Sequence, residues 1–78
     1  MQVISLKDLP PGRSACLVEI GGDWAFRRRL MELGFLPGTR VRMVRRVDIG
    51  DLVEIEVRGS HISLRRSEAS SVLLQEEG

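Results

Sequence analysis

Aromatic, sulfur and imidazole groups are scarce in this chain: among 78 residues there are one cysteine, one histidine, one tryptophan, two phenylalanines and no tyrosine. Cys16 alone cannot close an internal disulfide, and no CxxC spacing offers zinc or redox chemistry. A disulfide-stapled secreted mini-protein is thereby excluded, and a reducing compartment fits. With His61 as its one imidazole and no glycine-rich loop followed by lysine, the chain lacks a recognisable nucleophile, base and orienting group. It therefore reads as a non-enzyme. Long apolar runs are also missing. The longest, Ala15-Cys16-Leu17-Val18, falls far below the roughly 18 residues that span a bilayer, and no basic region precedes an apolar stretch at the N-terminus. A cytoplasmic location is expected.

What is present is ordinary for a globular domain: 42% hydrophobic and 29% charged residues. A chain this short buries only about 60% of its unfolded surface, so residues 1–78 are expected to form one domain. Its core should span about residues 5–74, with a flexible polar tail at 75–78. The net charge of +1 hides a lopsided distribution, because residues 27–46 hold seven arginines against one acid, Glu32.

Local patterns give an element order. Leu6 and Leu9 share one side of a helical turn that Pro10-Pro11-Gly12 ends. A strand follows at about 14–20, apolar in both phases and so expected to be covered on both faces. Asp23 is a plausible N-cap, and Phe26, Leu30 and Leu33 recur at i, i+4 and i+7, predicting an amphipathic helix with that face in the core. Gly34 then predicts a Schellman ending that sets Phe35 against Leu30, and Leu36-Pro37-Gly38-Thr39 has type II turn composition. Val41, Met43 and Val47 alternate with Arg42 and Arg46, and Val53, Ile55 and Val57 with Glu54, Glu56 and Arg58, giving two half-buried strands around a loop containing Gly50. Gly59-Ser60 suits a type II′ hairpin that would set Val57 opposite Ile62, Ile55 opposite Leu64 and Glu54 opposite Arg65. Ser67 is expected to cap a last helical turn before a strand at Val72-Leu73-Leu74. Four or five short strands with tight turns and one helix predict a mainly β fold, a small, strongly bent barrel with an inserted amphipathic helix.

Candidate site residues are few, and each has a structural reading beside the functional one. Cys16 and His61 are the soft and imidazole ligands available to a metal, yet Cys16 suits strand packing and His61 falls on the outward phase with Ser63 and Arg65. Asp48 and Asp51 bracket a loop that could take a divalent cation, although Asp and Gly are default turn residues. The arginines could attract an acidic protein, nucleic acid or anionic lipid, or pair with Glu32, Glu54 and Glu56 as a solvated face. Arg28 has Glu32 at i+4. Arg45 falls on the inward phase of its strand, where a long side chain would have to extend past a rim, and Met31 with Leu36 could form an exposed apolar spot. Arg28, Met31, Leu36 and Arg45 are therefore the candidate partner-binding residues.

The run Leu30-Met31-Glu32-Leu33-Gly34-Phe35-Leu36-Pro37-Gly38-Thr39 resembles the FeoA family of small cytosolic proteins of bacterial ferrous iron uptake. Leu6, Leu9 and Gly12 look like its opening, Gly50-Asp51-Leu52-Val53-Glu54-Ile55 like its glycine-led strand, and Ile62-Ser63-Leu64-Arg65-Arg66-Ser67-Glu68-Ala69 like its closing segment. The resemblance marks Leu30, Leu33, Gly34, Pro37, Gly38 and Gly50 as motif positions and implies an SH3-like barrel. It also implies a non-enzymatic accessory role, exerted by cytosolic contact with the FeoB transporter and its GTP-binding domain. No cofactor is required, Fe2+ being at most a weakly held divalent ligand. No specific nucleic acid is implied and no membrane span, only recruitment to the inner face of the membrane. A similar domain closes DtxR-type repressors, so the alternative is a metal-responsive regulatory module.

Overall fold

Strands with one apolar face must hide that face, and here the sheet hides it largely against itself. The computed structural model describes residues 2–76. Its elements are β1 (Val3–Ser5), a 3-10 turn (Leu6–Asp8), β2 (Ser14–Ile20), α1 (Trp24–Glu32), β3 (Arg40–Val47), β4 (Leu52–Val57), β5 (Ser60–Arg65), α2 (Arg66–Ala69) and β6 (Val72–Glu76). All neighbouring strands are antiparallel, in the order β1-β6-β2-β3-β4-β5. The fold is mainly β, as expected, with six strands rather than five.

Ala15, Leu17, Val41, Met43, Val53, Ile55, Val57, Leu64, Val72 and Leu74 are buried together from five of the strands. Among the described residues outside the strands, the cluster gains Leu6, Leu9, Leu30, Phe35 and Ala69, with partly buried Phe26 packed against it. That is too little to cover an open sheet of six strands, so the sheet bends round its own apolar face.

The helix-to-barrel corner forms as its sequence predicts. Asp23 accepts the Phe26 N–H at 2.8 Å and caps α1. At the other end Gly34 has φ 101°, its N–H bonds the Met31 carbonyl at 3.0 Å, and the Phe35 N–H bonds the Leu30 carbonyl at 3.0 Å. This is the Schellman pair, and Leu30 and Phe35 both lie fully buried. The Thr39 N–H then closes on the Leu36 carbonyl at 2.9 Å with Gly38 at φ 88°, as a type II turn requires. Two further bonds, Gly38 N–H to the Leu17 carbonyl at 2.7 Å and Leu17 N–H to the Thr39 carbonyl at 2.8 Å, fasten this turn to β2.

Several expectations are corrected by irregularities in the strands. In β3 the register moves from Met43↔Ile55 to Arg45↔Glu54, so Val44 is an extra residue and the phase flips beyond it. Arg45 consequently points outward, and Arg46 takes the inward phase opposite Val53. At the barrel end the Arg46 guanidinium donates to the carbonyls of Lys7 and Leu9 at 2.9 and 3.0 Å, tying β3 to the 3-10 turn. A similar shift between Leu17 and Glu19 leaves Val18 exposed, so β2 is covered on one face rather than two.

The hairpin also differs. Arg58 and Gly59 both have positive φ, 53° and 82°, which makes the turn type I′ with Arg58-Gly59 at its centre. Val57 therefore faces Ser60, Ile55 faces Ile62 and Glu54 faces Ser63. The two-residue slip from the predicted register leaves every side chain on its predicted face. The N-cap of α2 is Arg65 rather than Ser67, with the Glu68 carboxylate accepting the Arg65 N–H at 2.9 Å. Leu33, placed in the core by periodicity, is 48% exposed: among the helix residues only Leu30 is fully buried, and Leu33 lies at the C-cap. Gln75 and Glu76, expected in a polar tail, close β6, while residues 77 and 78 lie outside the described residues.

Replacing Gly34 by alanine should cost about 1–2 kcal/mol, because a Cβ is disfavoured at positive φ. The new Cβ would also sit 3.3 Å from Cδ of Arg58, whose flexible side chain can yield. Phe35→Ala should cost about 3–5 kcal/mol through the cavity it leaves. Urea denaturation of the three proteins checks both values, and wild-type stability in Gly34→Ala would contradict the assignment of the corner.

Candidate functional surfaces

The arginines are mostly engaged at the surface. Arg28 Nε lies 3.3 Å from Glu32, Arg29 is 2.9 Å from Glu68, Arg42 Nε is 3.1 Å from Glu56, and Arg45 Nε bonds Glu54. Arg27 stands over the Trp24 ring at 5.9 Å and Arg29 over Phe26 at 5.6 Å. Cross-strand pairing thus explains much of the charge pattern. Two carboxylates respond to it. Hydrogen bonding to Arg42, and then its charge, holds Glu56 below the usual carboxylate range, with His61 adding a smaller push from 3.4 Å. Glu68 is lowered first by the Arg65 backbone N–H and then by Arg29.

Beside the family-like turn lies an open depression of about 780 Å³. The turn residues Leu36, Pro37, Gly38 and Thr39 form one wall. Arg40, Arg42 and Arg58, with Glu56, Ser14 and Gly59, complete the lining. Leu36 is 45% exposed and brings an apolar side chain to this otherwise polar lining. Three arginines and one glutamate share this lining, and Glu56 lies 3.1 Å from Arg42 Nε and 3.4 Å from His61 Nε2.

A second, apolar groove runs between β2 and α1. Met31 lines it with Val18, Ile20, Phe35 and Pro37, and Arg27 and Glu19 stand beside them. Its floor exists because β3 pairs with β2 only over Ser14–Cys16, leaving no strand beside Val18–Ile20 on that side. Trp24, at the first position of α1, is 62% exposed.

The sequence-predicted residues therefore separate. Met31 belongs to the apolar groove and Leu36 to the basic depression, so they do not form one spot. Arg28 is on the outer face of α1 and Arg45 on the outer face of β3. Among the motif positions, Leu30 is core, Gly34 and Gly38 serve the two turns, and Pro37 touches both the groove and the depression. Gly50, at φ 85°, lies in the turn closed by the Asp51 N–H on the Asp48 carbonyl at 3.1 Å. Cys16 is half-buried in β2, His61 is exposed on β5, and among the described residues no three His, Cys, Asp or Glu side chains converge as a metal cage. Sequence reasoning missed Arg40 and Arg58 as neighbours. The signal for Arg58 was its place before Gly59, which favours a type I′ turn over II′.

What these features define is a small antiparallel barrel of SH3 type, whose chemistry is presented on open surfaces flanking one helix. The FeoA domain profile matches residues 4–76. The chain belongs to the FeoA family. It is 31% identical over 67 residues to an Fe(2+) transport protein A/Fe(2+) transporter FeoB fusion protein of Porphyromonas gingivalis, covering 86% of this chain and 8% of that one. The match thus spans only a small part of the fusion. The structure superposes with a TM-score of 0.80 on Stenotrophomonas maltophilia FeoA complexed with zinc, described as a procaryotic SH3 domain protein, at 34% identity over 92% of this chain and 89% of that one. A manganese-dependent transcriptional repressor shares the fold at a TM-score of 0.86 and 14% identity, over 96% of this chain and 42% of the repressor. No helix among the described residues is long and apolar enough to cross a membrane.

Folding lowers the Glu68 pKa, so its contribution is complete above the ordinary carboxylate pKa and is lost as pH falls through the lower folded value. Glu68→Gln should be less stable than wild type by roughly 1 kcal/mol at neutral pH, with the gap closing in acid. Urea midpoints across that range check this; a gap independent of pH would contradict it.

Proposed function

We propose that this protein is a non-catalytic accessory of ferrous iron uptake that acts in the cytoplasm by direct contact with a FeoB-type transporter. The observation that carries the reading is the Porphyromonas gingivalis relative, in which the homologous segment and a FeoB transporter share one polypeptide. Covalent joining keeps two modules at high effective concentration, which is useful when they work against each other's surfaces. Contact at the cytosolic face would bring a domain with no spanning helix to the inner surface of the membrane. Arg28, Met31, Leu36 and Arg45 are assigned to partner contact, Met31 through the apolar groove and Leu36 through the exposed turn.

The immobilised cytosolic domain of the transporter should capture the wild-type protein in at least one nucleotide state. Met31→Gln and Leu36→Ser should each reduce capture several-fold while retaining wild-type circular dichroism. Absence of capture of the folded wild type in every nucleotide state would remove direct contact with that domain.

A second reading rests on the fold shared with the manganese-dependent repressor: a metal-responsive regulatory module. At this identity the likeness carries fold and not function. Anaerobic calorimetry with Fe2+ and Mn2+ separates the two readings. The accessory role expects little heat, whereas saturable binding lost in Cys16→Ser or His61→Gln would favour the metal-responsive module.

A further inference from the structure

We propose that β5 pairs with the β5 of a second copy of this chain, antiparallel about a two-fold axis at Ile62. The inference goes beyond the accessory reading and does not depend on it.

The sheet ends on one side at β5, and among the described residues no strand lies beyond it. Which main-chain groups are left open there follows from the hairpin. A two-residue type I′ turn makes Val57 and Ser60 a hydrogen-bonded pair. Alternation then turns the N–H and C=O groups of Ser60, Ile62 and Leu64 toward β4, and those of His61, Ser63 and Arg65 away from it. The Arg65 N–H fits this phase, because it bonds the Glu68 carboxylate at 2.9 Å and not β4. His61 and Ser63 each present a donor and an acceptor at an open edge.

The two edges of the sheet are unlike. At the other edge β1 is three residues long, too short to template a further strand. β5 is six residues long, and from Ser60 to Leu64 it carries neither proline nor lysine nor a bulge, the usual means of blunting an edge. Beside it runs a groove of about 490 Å³ in which exposed Leu33 and half-buried Ile62 meet solvent. An unguarded edge with an apolar flank is one that another strand covers.

Self-complementarity chooses the occupant. Open groups two residues apart satisfy one another when His61 faces Ser63 of the second copy and Ser63 faces its His61, a two-fold arrangement in which every one of them is paired. Ile62 then meets its own counterpart in the closer, non-hydrogen-bonded pair between them. Arg65 falls opposite Gly59 of the second copy, beyond the paired stretch. Moving the axis to Ser63 would set His61 against Arg65, both basic, and would need the Arg65 N–H that Glu68 already holds.

Sedimentation of the full chain from micromolar to millimolar concentration should show a monomer converting reversibly to a dimer. Amide exchange followed by NMR locates the interface. The His61 and Ser63 amides should exchange quickly in dilute protein and slow several-fold in concentrated protein, whereas those of Ile62 and Leu64, bonded within the barrel, stay slow in both. Ser63→Pro removes the outward donor and leaves the β4 ladder alone, a position where an edge strand tolerates proline. It should weaken dimerisation roughly tenfold, since each chain loses one bond. Val3→Thr, on the opposite edge, should dimerise like wild type. A monomer at every concentration overturns the proposal. So does a dimer whose His61 and Ser63 amides stay unprotected, or one that folded Ser63→Pro leaves intact or Val3→Thr weakens equally. Exchange is read on wild type, so the outcome does not depend on how the variants fold. Protection of these amides only when a transporter's cytosolic domain is added would overturn the second copy and give the edge to a strand of that partner.

Discussion

Leu30 and Phe35 can both lie in the core because one left-handed residue, Gly34, reverses the chain between them. Almost everything on this side of the barrel follows from that reversal. It frees the chain for the Leu36–Thr39 turn, and the two bonds from that turn to Leu17 fix where β3 begins. They also stop β3 from pairing along the whole of β2, which leaves the apolar groove open beside Val18 and Ile20. One corner thus shapes both concave surfaces, and Pro37 touches each of them.

The charged groups are arranged on a different principle. Glu54 and Glu56 alternate along the outer face of β4 and meet Arg45 and Arg42 of the neighbouring strand, so the sheet neutralises part of its own arginine content. Exposed pairs of this kind contribute little to stability. Their larger effect is to neutralise, strand by strand, much of the positive charge that the outer face of the sheet would otherwise carry.

How far the sequence reveals this depends on whether a feature is local. The helix cap at Asp23, the Schellman ending and the type II turn are each decided within five or six residues, and all three are readable from residue types. Inward alternation on β4 is readable too, because nothing interrupts it. The bulges at Val18 and Val44 are not, since an extra residue is defined only by the partner strand; beyond each one the periodicity assigns the wrong face. That is why the arginine in register with buried Val53 is Arg46 rather than Arg45, its exposed side chain reaching past the barrel end. The short β1 escaped for a related reason: three residues carry no period, and Val3–Ser5 become a strand only because β6 lies alongside. Of the surfaces, exposure of Leu36 could be suspected from its place in a turn. The meeting of Arg40, Arg42 and Arg58 required the register.

The pairing of β1 with β6 has a consequence of its own. Val3 lies opposite Gln75 on adjacent antiparallel strands, so the two ends of the described chain leave the barrel side by side. A linker attached at either end starts from nearly the same point, and the domain can be placed before, after or between other modules with little change in its reach. The same closeness makes the fold a natural candidate for circular permutation, with new ends cut in the exposed turn at Asp48–Asp51. In a tethered assembly, orientation would then be set by the surfaces that meet and hardly at all by the order in which the modules are joined.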